Sequence, residues 1–139
     1  MSSAVQTISD IIELFELFGD DWEERYRYLI DLGKTIPEFP EDQKVESNLV
    51  RGCTSRVWMV MHVDSGIFKF SADSDAHIVR GLIGLLMILA NNKPVSEVGA
   101  LDVMDVFKKL GLEQNLSPNR RNGFFSMVEK IKSRCMQTA

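Results

Sequence analysis

Two strand-like runs joined by a tight-turn signal constrain the fold of this chain most strongly. Residues 57–63 are apolar on both faces of an extended backbone, and residues 67–72 place Phe68 and Phe70 together on one face. Residues 64–66, Asp-Ser-Gly, lie between the runs, and glycine tolerates the positive φ that a two-residue hairpin needs. The pattern predicts an antiparallel hairpin, with residues 57–63 as the central strand of a small sheet.

A helix that is apolar nearly all round follows this hairpin. Residues 76–90 contain isoleucine, leucine and valine on every side, which is typical of a helix at the centre of a core. Residues 73–75, Asp-Ser-Asp, offer side-chain oxygens that would cap its first turn. Gly81 and Gly84 share one face of the helix, and we expect them to let the sheet approach closely.

Apolar residues at helical spacing indicate further helices on both sides of this unit. They are expected at residues 8–18, from Trp22 to about Gly33, at residues 103–110, and from the Ser117-Pro118 start signal onwards. Residues 47–50 form a possible first strand, and the chain from Lys132 onwards is expected to fray. The predicted fold is α+β, one domain over residues 1–139, with about three antiparallel strands packed against helices.

Composition and charge argue against several classes of function. The chain has 139 residues and a net charge of −4, and no segment collects the basic side chains that nucleic-acid binding requires. The longest apolar run, residues 82–90, is too short to span a membrane, and no secretory signal is visible. Two cysteines make no disulfide framework, so we expect a cytoplasmic protein in a reducing compartment.

The candidate chemistry centres on a short segment, residues 51–56, which we call the thiol loop. It carries Cys53 between the predicted strands, with Gly52 before the thiol and Arg51 and Arg56 on either side. Nearby cations lower the pKa of a thiol and favour the reactive thiolate. Cys53 is therefore a candidate nucleophile or sulfur carrier, although a free cysteine also commonly serves as a small buried hydrophobe.

Other chemistries find less support in the sequence. The two cysteines and two histidines, Cys53, Cys135, His62 and His77, lack the short spacing of a zinc site, so no metal is expected. A cysteine hydrolase would need one of the histidines close to Cys53 as a base, and a redox enzyme would need Cys135 as a resolving thiol. The spacing demands neither arrangement, and a small thiol enzyme stays open as the alternative.

Several segments, taken together, resemble one known family. They are Val50-Arg51-Gly52-Cys53-Thr54-Ser55-Arg56-Val57-Trp58, Ala72-Asp73-Ser74-Asp75-Ala76, Ile78-Val79-Arg80-Gly81-Leu82-Ile83, and Leu116-Ser117-Pro118-Asn119-Arg120-Arg121-Asn122-Gly123. Trp22-Glu23-Glu24-Arg25-Tyr26, Leu32-Gly33 and Ile36-Pro37 also fit. In this order, over roughly residues 10–132, the chain resembles the SufE family of sulfur acceptors.

The resemblance implies a fold shared with IscU-type scaffolds and a carrier role for Cys53. This thiol would accept sulfane sulfur from the persulfide of a pyridoxal-phosphate cysteine desulfurase, such as SufS or CsdA, and pass it to a scaffold such as SufBCD. The chain would raise desulfurase turnover without being an enzyme alone, and the pyridoxal phosphate would belong to the partner. In the family's resting form the thiol loop is tucked in and must swing out to reach its donor.

The family pattern and the charges near the thiol also nominate residues that hold the loop or contact the partner. They are Arg51, Gly52, Ser55, Arg56, Asp75 and Arg120. A CsdE-like carrier with other sulfur recipients fits the same motifs, and a homodimer is left open. A direct cluster scaffold fits less well, because clusters usually need several thiolates.

Overall fold

The computed structural model describes residues 7–51 and 55–138, and the predicted site residues Gly52 and Cys53 lie outside these ranges. Helices precede and follow a hairpin in the described chain. In order, the elements are α1 (Ile8–Phe18), α2 (Trp22–Gly33), two 3₁₀ turns (Glu41–Gln43 and Glu46–Asn48), β1 (Val57–Asp64), β2 (Ile67–Ser74), α3 (His77–Ala90), β3 (Lys93–Pro94), α4 (Val95–Ala100), α5 (Val103–Lys109), α6 (Leu112–Asn115) and α7 (Pro118–Thr138). The α+β architecture predicted from the sequence is confirmed.

The hairpin forms as its sequence predicts. Ser65 and Gly66 take φ values of 52° and 80°, the combination that a type I′ turn requires. This turn sets the register of β1 against β2, so that Val57 lies opposite Ser74 and Trp58 lies opposite Asp73. The register continues along the full length of both strands, which places the start of β1 beside the end of β2.

The strand order differs from the prediction, because β2 and not β1 is central. The sheet has the order β1-β2-β3, and the short strand Lys93–Pro94 pairs with the far side of β2. Residues 46–48 form a 3₁₀ turn where a strand was expected at 47–50, and only an isolated bridge joins Leu49 to Trp58. The expectation failed because both faces of β1 looked apolar. The face opposite the core is in fact largely open, and Trp58 is buried there by the segment that precedes the loop.

One face of the sheet packs against α3, which is the most buried helix of the described chain. Most of its side chains are buried, including Ile78, Leu82, Ile83 and Leu85. The residues 73–75 do not cap it as expected: Ala76 occupies the N-cap position and has no capping side chain, and Ser74 only accepts a hydrogen bond of 3.2 Å from the Ala76 amide through its Oγ. The carboxylates of these residues have other partners, which are described with the site.

The glycines of α3 face α2 and not the sheet, contrary to the expectation from sequence. A methyl group on Gly81 would lie 2.7 Å from the carbonyl carbon of Leu29, and one on Gly33 would lie 2.7 Å from the amide nitrogen of Gly81. A methyl group on Gly84 would lie 2.9 Å from Cγ of Leu32. These distances are shorter than van der Waals contact, so the two helix backbones approach closely only because these positions lack a Cβ. We call this contact the α2–α3 seam.

The C-terminal helix α7 is longer and better packed than the sequence suggested. It continues to Thr138, and Cys135 near its end is only 1% exposed. The expected fraying from Lys132 is therefore wrong, because Cys135 and Ile131 belong to the hydrophobic core. Towards the start of α7, the ring of Phe124 stacks on Phe107 of α5 with centroids 4.9 Å apart.

In the described part of the chain, the helices fall short of the length and apolar character that crossing a bilayer requires.

Candidate functional site

The start of the thiol loop is fixed where the chain first meets β1. The amide of Val50 donates a hydrogen bond of 2.8 Å to the carbonyl oxygen of Val57, and Leu49 forms the bridge to Trp58. Val50 is only 4% exposed, so an apolar side chain buries this attachment point. Val50, just before the loop, therefore lies beside Val57, just after the loop.

The end of the thiol loop is fixed by two hydrogen bonds between Arg56 and Asp75. The amide of Arg56 donates to Oδ1 of Asp75 over 3.1 Å, and the amide of Asp75 donates to the carbonyl oxygen of Arg56 over 3.3 Å. The two residues form the next position of the ladder after the Val57–Ser74 pair. The Asp75 carboxylate therefore extends the hairpin by one residue and holds the end of the loop.

Both arginines of the loop extend into solvent. The Arg51 side chain is 79% exposed, and its Nη2 lies 3.9 Å from Oε2 of Glu46, which is equally exposed. Arg56 is exposed, and Ser55 before it is half-buried. An exposed ion pair at this distance adds little stability. These guanidinium groups are therefore available to an anion or to an acidic surface.

Arg120, in the first turn of α7, has its described polar contacts with α2 and with the residue that precedes α7. Its Nη1 donates a hydrogen bond of 2.9 Å to the hydroxyl of Tyr26 in α2, and its amide donates to Oγ of Ser117 over 3.4 Å. The structure thus brings Arg56 and Asp75 together, whereas it connects Arg120 to α2. A role of Arg120 towards a partner stays a prediction.

A cleft lies between the start of the loop and the middle of α7. It has a volume of about 500 Å³, and Val50 and Arg51 form one wall. The other wall consists of α7 side chains, namely Ser126, Glu129, Lys130 and Ser133. The surface beside the loop start is therefore concave, open to an approaching molecule, and lined mostly by polar and charged residues.

A second group of charges beside the loop was missed in the sequence. Asp73 is opposite Trp58 in the hairpin, and its carboxylate lies between Lys44 and Arg80. From its place before α3 in the sequence, Asp73 was expected to cap that helix. The turn at residues 65–66 fixes the register, so counting outward from it would have placed Asp73 opposite Trp58 and Asp75 opposite Arg56.

His62 lies far from the base of the loop and Cys135 is buried, whereas His77 follows Asp75 by two residues. His62 is exposed, and it lies six strand residues beyond Arg56, which is about 20 Å along β1. His77 is exposed in the first turn of α3. Burial raises the pKa of the Cys135 thiol, and the nearby Arg134 offsets this only in part. Cys135 is therefore a poor attacking thiol.

Among residues 7–51 and 55–138, the structure contains no group of three or more histidine, cysteine, aspartate or glutamate side chains arranged to hold a metal ion.

Comparison with solved structures supports the fold. A hypothetical protein of Thermus thermophilus, known from its solution structure, matches with a TM-score of 0.74 over 94% of this chain and 93% of that one. The sequences are only 19% identical, so the likeness concerns the fold alone.

Comparison of sequences identifies the family. An uncharacterised SufE-like protein of Rhizobium etli is 46% identical over 136 residues, which cover 95% of this chain and 88% of the relative. A second one, from Rhizobium meliloti, is 43% identical over 137 residues, which cover 96% and 94%. The model of the SufE family, described as an Fe–S metabolism associated domain, matches residues 9–135. The chain therefore belongs to the SufE family.

Proposed function

We propose that this protein carries sulfur for the assembly of iron–sulfur clusters, with Cys53 as the sulfur-accepting thiol. The donor is the persulfide of a pyridoxal-phosphate cysteine desulfurase, and the recipient is an iron–sulfur scaffold such as SufBCD. Family membership supports a role in Fe–S metabolism. The observation that carries the assignment to Cys53 is that both ends of its loop are held by described contacts, at Val50–Val57 and at Arg56–Asp75.

The covalent chain alone keeps the thiol near these two contacts. Three peptide units separate Cys53 from Val50 and from Arg56, so its Cα lies within about 11 Å of each. Arg51 and Arg56 belong to the same loop and are exposed, and cationic side chains close to a thiol favour the thiolate. A persulfide carrier needs such an accessible thiolate, and it needs no catalytic triad.

The transfer step balances without an added oxidant. The Cys53 thiolate attacks the terminal sulfur of the donor persulfide, a new S–S bond forms on Cys53, and the S–S bond of the donor breaks. The donor cysteine leaves as a thiolate, and the sulfane sulfur keeps its oxidation state. Removing this sulfur frees the desulfurase for its next turnover, which is how the carrier stimulates its partner without being an enzyme alone.

The exposed charges around the loop suggest how the partner docks. We expect the desulfurase to contact Arg51 and Arg56 beside the thiol and to approach over the cleft in front of α7. Arg120 is a further candidate contact, with its guanidinium oriented by Tyr26. Complementary charges of this kind mainly raise the rate of association. The carrier is expected to act in the cytoplasm, where its thiols stay reduced.

The alternative of a small thiol enzyme receives no support from a specific contact. Cys135 is buried in the core and has a raised pKa, which makes it unsuited to resolve a disulfide with Cys53. His62 lies about 20 Å along β1 from the end of the loop, whereas His77 follows Asp75 by two residues and is the nearer of the two candidate bases.

The test is to mix the purified protein with cysteine desulfurase and free cysteine in the absence of reductant, and to locate added sulfur by peptide mass spectrometry. We expect a mass increase of one sulfur atom on Cys53 and faster turnover of the desulfurase. Both effects should be lost in Cys53→Ser and retained in Cys135→Ser. A desulfurase that is active alone, but neither loads nor responds to the wild-type chain, would overturn the proposal.

A further inference from the structure

A largely enclosed carboxylate lies beside the base of the thiol loop. Asp73 at the end of β2 is only 14% exposed, and its Oδ1 accepts a hydrogen bond of 2.8 Å from the amide of Ser74. Oδ2 of Asp73 lies 3.4 Å from Nζ of Lys44, and Oδ1 lies 3.1 Å from Nε of Arg80. We call Lys44, Asp73 and Arg80 the ion cluster.

The ion cluster connects the chain on both sides of the thiol loop. Lys44 belongs to the segment that leads into the loop, and its ammonium group lies 5.5 Å from the ring centroid of Trp58. Trp58 follows the loop in β1 and is the hairpin partner of Asp73. Arg80 lies near the start of α3, so the ion cluster also includes the central helix. One carboxylate thus holds the segment before the loop, the strand after it and the central helix in a fixed relation.

Burying the ion cluster costs more desolvation free energy than burying an apolar contact of the same size. Removing three charged groups from water carries a desolvation penalty that their attraction only roughly offsets, so ion pairs of this kind add little net stability. They do fix the relative positions of the three segments, because the charges must stay within ion-pair distance of one another, 3.1 Å and 3.4 Å here, to offset that penalty. The ion cluster is therefore better suited to orienting the loop than to stabilising the fold.

The ion cluster also affects the charge near the thiol. The charged groups around the base of the loop are Glu41, Lys44, Asp73 and Arg80 on one side, Arg51 and Glu46 before it, Arg56 and Asp75 after it, and Glu129 and Lys130 on α7. Removing the negative charge of Asp73 leaves Lys44 and Arg80 less compensated. A stronger positive field favours a thiolate and lowers the pKa of a nearby thiol.

We propose that Asp73 is a positioning residue for sulfur transfer, acting through Lys44 and Arg80 to hold the two sides of the thiol loop and to offset their positive charge. This inference rests on the proposed function in that it takes Cys53 to be the transferring thiol.

The first experiment compares Asp73→Asn with Lys44→Gln, because both variants break the Lys44–Asp73 contact with opposite changes of charge. Lys44→Gln also removes the 2.8 Å pair of Lys44 with the exposed Glu41. The pKa of the Cys53 thiol is measured in a Cys135→Ala background from the rate of iodoacetamide alkylation against pH. Asp73→Asn should lower this pKa by a few tenths of a unit, and Lys44→Gln should raise it by a similar amount. A merely structural role of Asp73 would not produce shifts of opposite sign.

The second experiment measures sulfur transfer from loaded desulfurase as a function of carrier concentration. We expect the maximal rate to fall about 3- to 10-fold in both variants, because the loop is misplaced, while the half-saturating concentration changes little. Asp73→Glu retains the carboxylate and should recover part of the rate. Asp105→Asn, which breaks the exposed 2.9 Å pair with Lys109 in α5, is the matched control and should behave as wild type.

The outcomes separate this inference from the proposed function. If wild-type protein accepts no sulfur, the carrier function fails, and the alkylation measurement still decides whether Asp73 acts on the thiol. If folded Asp73→Asn and Lys44→Gln both keep the wild-type thiol pKa and transfer rate, the positioning role is overturned. Should Asp73→Asn fail to fold, Lys44→Gln alone decides, because its side chain is partly exposed and its loss leaves a smaller defect.

Discussion

The α2–α3 seam is held by close apolar packing, whereas the base of the thiol loop is held by polar contacts. At the seam, Gly33 and Gly81 let two helix backbones touch, and the surrounding contacts are apolar. At the base of the loop, Arg56 and Asp75 exchange hydrogen bonds and the ion cluster adds close ion pairs, and these polar groups are partly open to water. The seam fixes the rigid body of the protein, whereas the base of the loop fixes the direction of one short segment. Changes at the first should cost stability, and changes at the second should cost sulfur transfer.

The largest effect on stability is expected from Gly81→Ala. The new methyl group would overlap the carbonyl group of Leu29, and backbone atoms cannot move aside as a flexible side chain can. We expect a loss of about 3 kcal/mol in the free energy of unfolding, measured by urea denaturation, because overpacking of this kind forces the backbone to shift. Sulfur loading per folded molecule should be nearly unchanged.

The matched control for this variant is Gly99→Ala in α4. No atom lies within 4 Å of the position that its methyl group would occupy, so the substitution meets open space. Alanine is also the better helix former, by up to about 1 kcal/mol. A Gly81→Ala protein as stable as Gly99→Ala would show that the seam is looser than the geometry indicates.

A smaller effect is expected where α7 joins the core at Cys135. Cys135→Ala should lower the free energy of unfolding by about 1 to 2 kcal/mol, because it removes a buried sulfur and leaves a small cavity. Burial raises the pKa of the Cys135 thiol in the folded state. The stability that the neutral thiol contributes is therefore fully present at pH values below the pKa of the same thiol in the unfolded chain. That contribution is lost as the pH rises above about 8.5 and through the folded pKa.

The measurement for Cys135 is urea denaturation between pH 7 and pH 10, with reductant present. The wild-type chain should lose more stability over this range than Cys135→Ala, so the difference between them narrows as the pH rises. A difference that widens with pH would show that the folded protein stabilises the thiolate instead. Neutral alkylating reagents should leave Cys135 unmodified in the folded wild type.

The apolar parts of the fold were predictable because burial leaves a periodic signal in the sequence. Alternation and a turn signal located the hairpin, and helical spacing located α3 and most other helices. The strand Lys93–Pro94 was missed because two residues are too few to show an alternating pattern. The packing partner of Gly81 was wrongly predicted because helical spacing shows which residues share a face but not which element packs against that face. Cys135 continues the helical spacing of the buried residues Phe124, Met127 and Ile131, so extending that period would have predicted that α7 stays packed to its end.

The polar parts of the candidate site were predictable only where the family resemblance or the hairpin register reached them. Asp75 was nominated by the resemblance, and the register then explains why it meets Arg56. Lys44 lies in a polar segment without periodicity, so nothing in the sequence indicated that it would contact Asp73. Ion pairs between remote segments depend on how the fold brings those segments together, and their residue types alone resemble a solvated surface.

The smallest effect on stability, and a clear effect on function, is expected at Asp75. Asp75→Ala removes the acceptor of the Arg56 amide and should cost less than about 1 kcal/mol, because both residues are exposed and water replaces the contact. Asp75→Asn is the matched control, since its side-chain oxygen still accepts this hydrogen bond. If the end of the thiol loop must be held for transfer, sulfur loading of Cys53 should slow in Asp75→Ala and largely recover in Asp75→Asn. Equal slowing in both variants would show that the negative charge of Asp75, and not its hydrogen bond to Arg56, is what the transfer requires. Equal loading in the wild type, Asp75→Ala and Asp75→Asn would show that the contact holding the end of the loop matters neither to stability nor to sulfur transfer. The base of the loop would then not be specialised for transfer in the way that the seam is specialised for stability.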